Sequence, residues 1–202
     1  MSFNIAFVLF PDFEELDFVG PFEVLGFTAN YFDKEWRPFS VAQERMVKST
    51  NGLNIQADYT FEDAPEANLV LVPGGLGTRK EVDNAELIAY IKRACESAEY
   101  ITSVCTGAFL LHKAGFLSGK RATTHWAALD DLRALGDVTV EEERWVHDGN
   151  VITAAGVSAG IDMALYLVGV LKSPEIARAL QRGIEYEPAP PYADVEPLQV
   201  DG

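Results

Sequence analysis

A single thiol stands where the chain changes its periodicity. In YITSVCTGAFLLHKAG, residues 100–104 alternate apolar and small polar side chains as a strand does, and residues 108–111 open an apolar helical face. Only Cys105, Thr106 and Gly107 lie between them. So abrupt a strand–nucleophile–helix turn pushes one side chain out at the edge of a sheet. It also sets that side chain at a helix N-terminus, where free N–H groups and the dipole favour a thiolate. Cys105 is therefore the expected nucleophile. Thr106 is either its nearest hydrogen-bonding neighbour or simply the cap of the following helix.

Asp17, in EELDFVGPFEVL, opens or immediately precedes a helix, a place that plain capping also explains. Beside a thiolate, an ionised Asp17 raises the thiol pKa by repulsion, whereas a protonated Asp17 donates a hydrogen bond to it. The two are expected to titrate as one pair sharing a proton. Glu14 and Glu15 compete for the same role. In LVPGGLGT, Gly74 and Gly75 follow a strand directly, and bare backbone N–H groups there approach a developing oxyanion closely. With the Thr106 amide they form an expected oxyanion hole, although PGG alone is often only a turn. His125, in RATTHW, either completes a Cys–His pair or is merely packed, with Trp126 as a pocket wall. His112, His147 and Cys95 read as structural. The sequence has no close Cys/His pairing and no helical HExxH, so no metal is expected.

These residues need a scaffold that gathers turns. Apolar strand-like runs at 4–9, 36–42, 69–72, 100–104 and 151–154 alternate with helical periodicity at 16–26, 85–98, 106–114, 126–135, 158–171 and 174–185. That alternation predicts an α/β fold with a largely parallel central sheet. MVKSTNGLNIQ carries an Asn51-Gly52 hairpin signal, and VTVEEERWVHDGNVIT pairs through Asp148-Gly149-Asn150. Ser173 before Pro174 is a helix N-cap with proline at the first helical position. Four strand-to-helix turns, at 11–16, 73–78, 105–107 and 155–158, emerge at the carboxyl edge of such a sheet, where ligands bind. Residues 1–187 are expected as one domain, and 188–202 as a proline-rich, extended tail on the surface or against a partner subunit.

Composition narrows the function class. With 31 acidic and 16 basic residues the 202-residue chain carries a net charge of −15, which argues against a nucleic-acid partner. No apolar run reaches the roughly 20 residues a membrane helix needs, and the first residues lack a signal-peptide pattern. Two cysteines are too few for a disulfide framework, so a reducing cytoplasm is the expected compartment. A small-molecule substrate remains.

FPDFEELDFVGPFEVL, LVPGG, SVCTGAFLLHKAGFLSGKRATTHW and DGNVITAAGVSAGIDMALYL together resemble the ThiJ/PfpI superfamily, which is class I glutamine amidotransferase-like. LDFVGP, VCTGAFLL, RATTHWA and the ending EYEPAPPY are most similar to its isocyanide (isonitrile) hydratase branch. The resemblance implies a flavodoxin-like α/β sandwich with a nucleophile elbow, usually a homodimer, needing neither metal nor organic cofactor. It implies a hydro-lyase in which Asp17 hydrogen-bonds Cys105 with Thr106 beside it. Glyoxalase- or deglycase-like attack on aldehydes is the alternative enzyme, with amidase or protease chemistry a third option. The same SVCTG and TTHW signatures occur in sensor domains of arabinose-type regulators, which implies a redox or ligand sensor as the non-enzyme reading. Those regulators carry a helix-turn-helix region downstream that this sequence does not include, which favours the enzyme. The chain departs from the hydratase pattern at Ala154-Ala155-Gly156, where a more glycine-rich run is expected.

Overall fold

In the computed structural model, which describes residues 2–193 and 195–196, the chain enters the core at Ile5 of its first strand. Strand β1 (Phe3–Leu9) is followed by α1 (Glu15–Tyr31), β2 (Trp36–Ala42), the pair β3 (Met46–Lys48) and β4 (Asn54–Gln56), and the short β5 (Tyr59–Thr60). Then come β6 (Leu69–Val72), α2 (Thr78–Glu81), α3 (Ala85–Ser97), β7 (Tyr100–Val104), α4 (Gly107–Lys113) and β8 (Arg121–Ala122). After a 3-10 turn at Trp126–Ala128 follow α5 (Leu129–Ala134), β9 (Thr139–Val140), β10 (Trp145–Asp148), β11 (Val151–Ala154), α6 (Ala159–Leu171) and α7 (Pro174–Gly183).

Seven strands form one sheet in the order β10-β11-β7-β6-β1-β2-β5. Every pairing in it is parallel except β10 with β11. The expected α/β architecture with a largely parallel sheet is the one that forms. Helices α1, α6 and α7 pack on one another, while α3 packs on α4 and both touch β6, so the sheet is covered on both faces. Covering explains the run of wholly buried residues from Ile5 to Leu9, which a sheet exposed on one face would not allow. Phe7 is fully buried and meets Phe18 and Phe22 of α1 edge-on, with ring centroids 5.5 and 5.2 Å away. Among the described residues no helix is long and apolar enough to cross a membrane.

Two details differ from the sequence expectation. Helix α1 continues past Gly26 to Tyr31, because Thr28 and Ala29 are buried and Thr28 Oγ1 donates to the Val24 carbonyl at 3.0 Å. Tertiary burial overrides the weak helix propensity of glycine there. The β10–β11 hairpin forms as expected, but Thr139 and Val140 pair in parallel with Arg121 and Ala122 instead. β11 already has β7 on one side and β10 on the other, so no edge is left for them. In the tail, residues 188–193 are exposed and form neither helix nor strand, and most of 194–202 lies outside the described residues.

Phe7→Ala removes a fully buried ring from the sheet–α1 layer. It should cost about 3–5 kcal/mol, read as a lower urea midpoint with an unchanged m value.

Candidate active site

The strand-to-helix turns meet at the carboxyl edge of the sheet, and Cys105 is at their centre. Its φ of +56° is left-handed, a strained conformation that persists only where the surroundings impose it. Its N–H donates to the Ala154 and Ala155 carbonyls at 3.1 and 2.7 Å, and its own carbonyl accepts from the buried Thr124 hydroxyl at 2.8 Å. The end of β11 and the segment before His125 therefore clamp the elbow from two sides. The approach is tight: a Cβ on Gly74 would lie 2.5 Å from the Thr106 nitrogen and 2.8 Å from Cys105 Cβ. Gly75, at φ +123°, faces the first turn as closely, and a Cβ there would lie 2.4 Å from the Glu14 nitrogen.

Asp17 is completely buried on the first turn of α1. Its Oδ2 accepts the Gly74 N–H at 2.8 Å, while among the described residues Oδ1 has no conventional hydrogen-bond partner. The Cys105 thiol and the Val157 amide stand beside this carboxyl. Burial, the nearby Glu14 charge adding to it, pushes the Asp17 pKa up to about 7 against the lowering effect of the Gly74 amide. Burial and then the Asp17 charge push the Cys105 thiol up to about 12, against the Thr106 and Val157 amides that favour its thiolate. The helix start alone therefore does not give the free low-pKa thiolate that the sequence suggests. The elbow is 7% exposed, and desolvation beside an acid outweighs the helix end. Cys105 and Asp17 form a coupled pair, and the thiolate is accessible when Asp17 holds the shared proton.

A cavity of about 550 Å³ opens onto Cys105. Thr106, His125, Trp126, Glu14 and Val157 line it, with Leu76, Arg79 and Asp131 toward the rim. Thr106 Oγ1 accepts the Gly75 N–H and contacts Thr78 Oγ1, both at 3.0 Å, so this hydroxyl is engaged with the PGG turn and caps no helix N–H. The Gly74 and Gly75 amides are thus committed to Asp17 and Thr106, and the amides that reach the sulfur are those of Thr106 and Val157. His125 accepts the Ala127 N–H on Nδ1 at 3.3 Å and packs so closely on Gly156 that a Cβ there would meet its ring at 2.3 Å. Burial and the Arg79 charge lower its pKa, leaving the imidazole neutral. Among the described residues no hydrogen bond joins it to Cys105, and Trp126 is an exposed wall of the same cavity.

His112 bonds Asp137 at 2.8 Å, His147 bonds Tyr166 and Gly149, and Cys95 is buried in α3, in keeping with structural roles. A second cavity of about 420 Å³, with Leu9, Phe10 and Leu87 in its wall, contains neither Cys105 nor Asp17. Sequence reasoning marked the 155–158 turn but not Val157, whose φ of +44° is a genuine outlier for a β-branched residue. Thr124 also went unmarked, since nothing in RATTHW says which threonine holds the elbow.

Residues 3–169 match the model of the DJ-1/PfpI family. The chain belongs to that family. It is 40% identical over 201 residues to the isonitrile hydratase of Pseudomonas putida, covering 98% of this chain and 84% of that one. It is 30% identical to the HTH-type transcriptional regulator CdhR of Pseudomonas aeruginosa, covering 99% of this chain but only 60% of the regulator. Among solved structures, a ThiJ/PfpI family protein from Pseudomonas syringae superposes with a TM-score of 0.88 at 35% identity, covering 96% of this chain and 78% of that one.

Two outcomes follow from the coupled pair. Alkylation of Cys105 by iodoacetamide should rise through an inflection near pH 7 as the pair loses its first proton, and Asp17→Asn should erase that inflection. The Asp17 pKa rises from an ordinary 3.8 to about 7 in the folded chain, so a contribution present below pH 4 is lost as pH rises through 7. Asp17→Asn should therefore gain stability relative to wild type between pH 5 and pH 8, by about 2.6 kcal/mol, in urea titrations at the two pH values.

Proposed function

We propose that this protein hydrates isocyanides to N-substituted formamides, with Cys105 as nucleophile and Asp17 as proton carrier. The observation that carries the reading is the buried Asp17 carboxyl beside the Cys105 thiol, two groups with one proton to share. The terminal carbon of an isocyanide must receive both a nucleophile and a proton. A thiolate next to the acid that holds its proton delivers both to one atom. Sulfur attack with proton transfer from Asp17 gives a thioimidate, R–N=CH–S–Cys105. Water then adds to its carbon, and loss of the thiolate releases the formamide. The Thr106 and Val157 amides would stabilise negative charge on sulfur or oxygen during these steps. The likeness to an isonitrile hydratase over 98% of the chain supports the same chemistry.

The substrate is small and neutral, matching a cavity with Trp126 and Leu76 among its walls. The reading needs no metal or organic cofactor. It includes a homodimer, supported by exposed Leu16 and Val19 on α1 and exposed Leu53 in the adjoining hairpin. The likeness to CdhR supports a second reading, a ligand-sensing domain without turnover. Aldehyde chemistry through a Cys–His pair has less support, because His125 is not bonded to the thiol.

Purified protein should convert alkyl isocyanides such as cyclohexyl isocyanide to formamides, followed by NMR. Cys105→Ala should abolish turnover with an unchanged circular dichroism spectrum. Formamide production by that variant would refute the covalent route. No formamide from wild type with any of several alkyl isocyanides would refute the activity.

A further inference from the structure

Thioimidate hydrolysis needs a base that can reach water, and Asp17 is badly placed for it. Its carboxyl is wholly buried, with one oxygen held by the Gly74 amide, and it does not line the cavity. The first turn carries three acids with three separate situations. Glu15 is tied to the hairpin turn, accepting the Ser49 hydroxyl together with the Asn51 N–H at 2.8 Å and the Asn51 Nδ2 at 2.7 Å. Asp17 is sealed. Glu14 is half-buried, sits at the N-cap position of α1 without making a cap hydrogen bond, and lines the cavity with Cys105.

We infer that Glu14 is a second catalytic carboxylate, the general base that activates water against the Cys105 thioimidate. This rests on the isocyanide reading and divides its two half-reactions between two acids. Glu14 is held where the role requires it. Its N–H donates to the Gly74 carbonyl at 2.8 Å, and Gly75 packs directly against its backbone. Partial burial and then the Glu15 charge raise its pKa from the ordinary value, against the lowering effect of the Leu16 amide. The other ionisable groups around the cavity are Arg79 from α2, Asp131 from α5 and His125, whose Nδ1 already accepts a backbone N–H. Asp131 is exposed, whereas Glu14 is half-buried.

The proton count closes. In the first half, the one proton of the Cys105–Asp17 pair goes to the isocyanide carbon as the C–S bond forms, leaving Asp17 ionised. In the second, water oxygen bonds that carbon, Glu14 takes one water proton and returns it to the imine nitrogen, and the adduct is R–NH–CH(OH)–S–Cys105. The C–S bond then breaks with its electrons going to sulfur, and the hydroxyl proton passes through Glu14 to the pair. The product is R–NH–CHO, and the pair again holds one proton.

The test is Glu14→Gln, which keeps size and shape, measured in both half-reactions. Steady-state formamide production should fall about 10²-fold or more, the usual weight of a general base. Intact-protein mass spectrometry should show the Cys105 adduct forming at the wild-type rate and accumulating. Turnover within threefold of wild type would overturn the inference, as would an adduct that forms as slowly as turnover falls. If wild type forms neither adduct nor formamide, the isocyanide reading itself fails. p-Nitrophenyl acetate then decides on Glu14, because it acylates the thiol without an isocyanide and its release needs the same water. Slowed deacylation in Glu14→Gln supports the role, and deacylation at the wild-type rate overturns it.

Discussion

One proton shared by two buried groups is the constraint on which the rest of the site depends. A carboxyl with no exposed surface cannot ionise freely, and neither can a thiol that is 7% exposed. Placed together, each opposes ionisation of the other, so the low-cost neutral-pH states keep one proton between them. Such a pair differs from a Cys–His couple in what it offers a substrate. An imidazolium leaves a positive charge beside the thiolate, whereas a protonated carboxyl beside a thiolate leaves only the sulfur charged. The pair suits an electrophile that must be protonated at the atom that sulfur attacks.

The fold holds this arrangement by spending backbone strain where hydrogen bonds can hold it. Cys105 and Val157 both have left-handed φ values, each a cost of about 1–3 kcal/mol at an L-residue. Cys105 is fixed through three bonds, to Ala154, Ala155 and Thr124, on segments that come from elsewhere in the chain. The PGG turn completes the clamp: the Gly74 amide binds Asp17, its carbonyl binds the Glu14 amide, and Gly75 binds Thr106. Two glycines thus position Asp17, Glu14 and the Thr106 hydroxyl beside Cys105. Their expected part as direct anion binders has become a part in positioning, since both N–H groups are used internally.

The same family framework appears in an isonitrile hydratase and in part of a transcriptional regulator. The elbow by itself does not choose between turnover and sensing. What surrounds the thiol here is the sealed Asp17, His125 packed against Gly156, and the half-buried Glu14. Those features are side-chain burial and direction, which a shared backbone leaves open.

Much of this was legible in the sequence because it is local. Strand and helix alternation, the abrupt change of period at Cys105, the hairpin at Asn51-Gly52 and the glycines after β6 all arise from neighbouring residues and their torsional preferences. The parallel sheet then brings the four turns to one edge, so the meeting of Asp17 with Cys105 was also within reach. Ionisation and orientation were not. Whether the thiol is a free thiolate depends on how deeply it and Asp17 are desolvated, and burial is a property of the packed chain. That the Gly75 amide serves Thr106, that Val157 turns its amide to the sulfur, and that Glu14 faces the cavity while Glu15 binds the hairpin depend on fractions of a turn. The sequence determined which groups could react, through local periodicity and residue type. Only tertiary packing decided that Cys105 and Asp17 share one proton, because desolvation and hydrogen-bond direction come from residues distant along the chain.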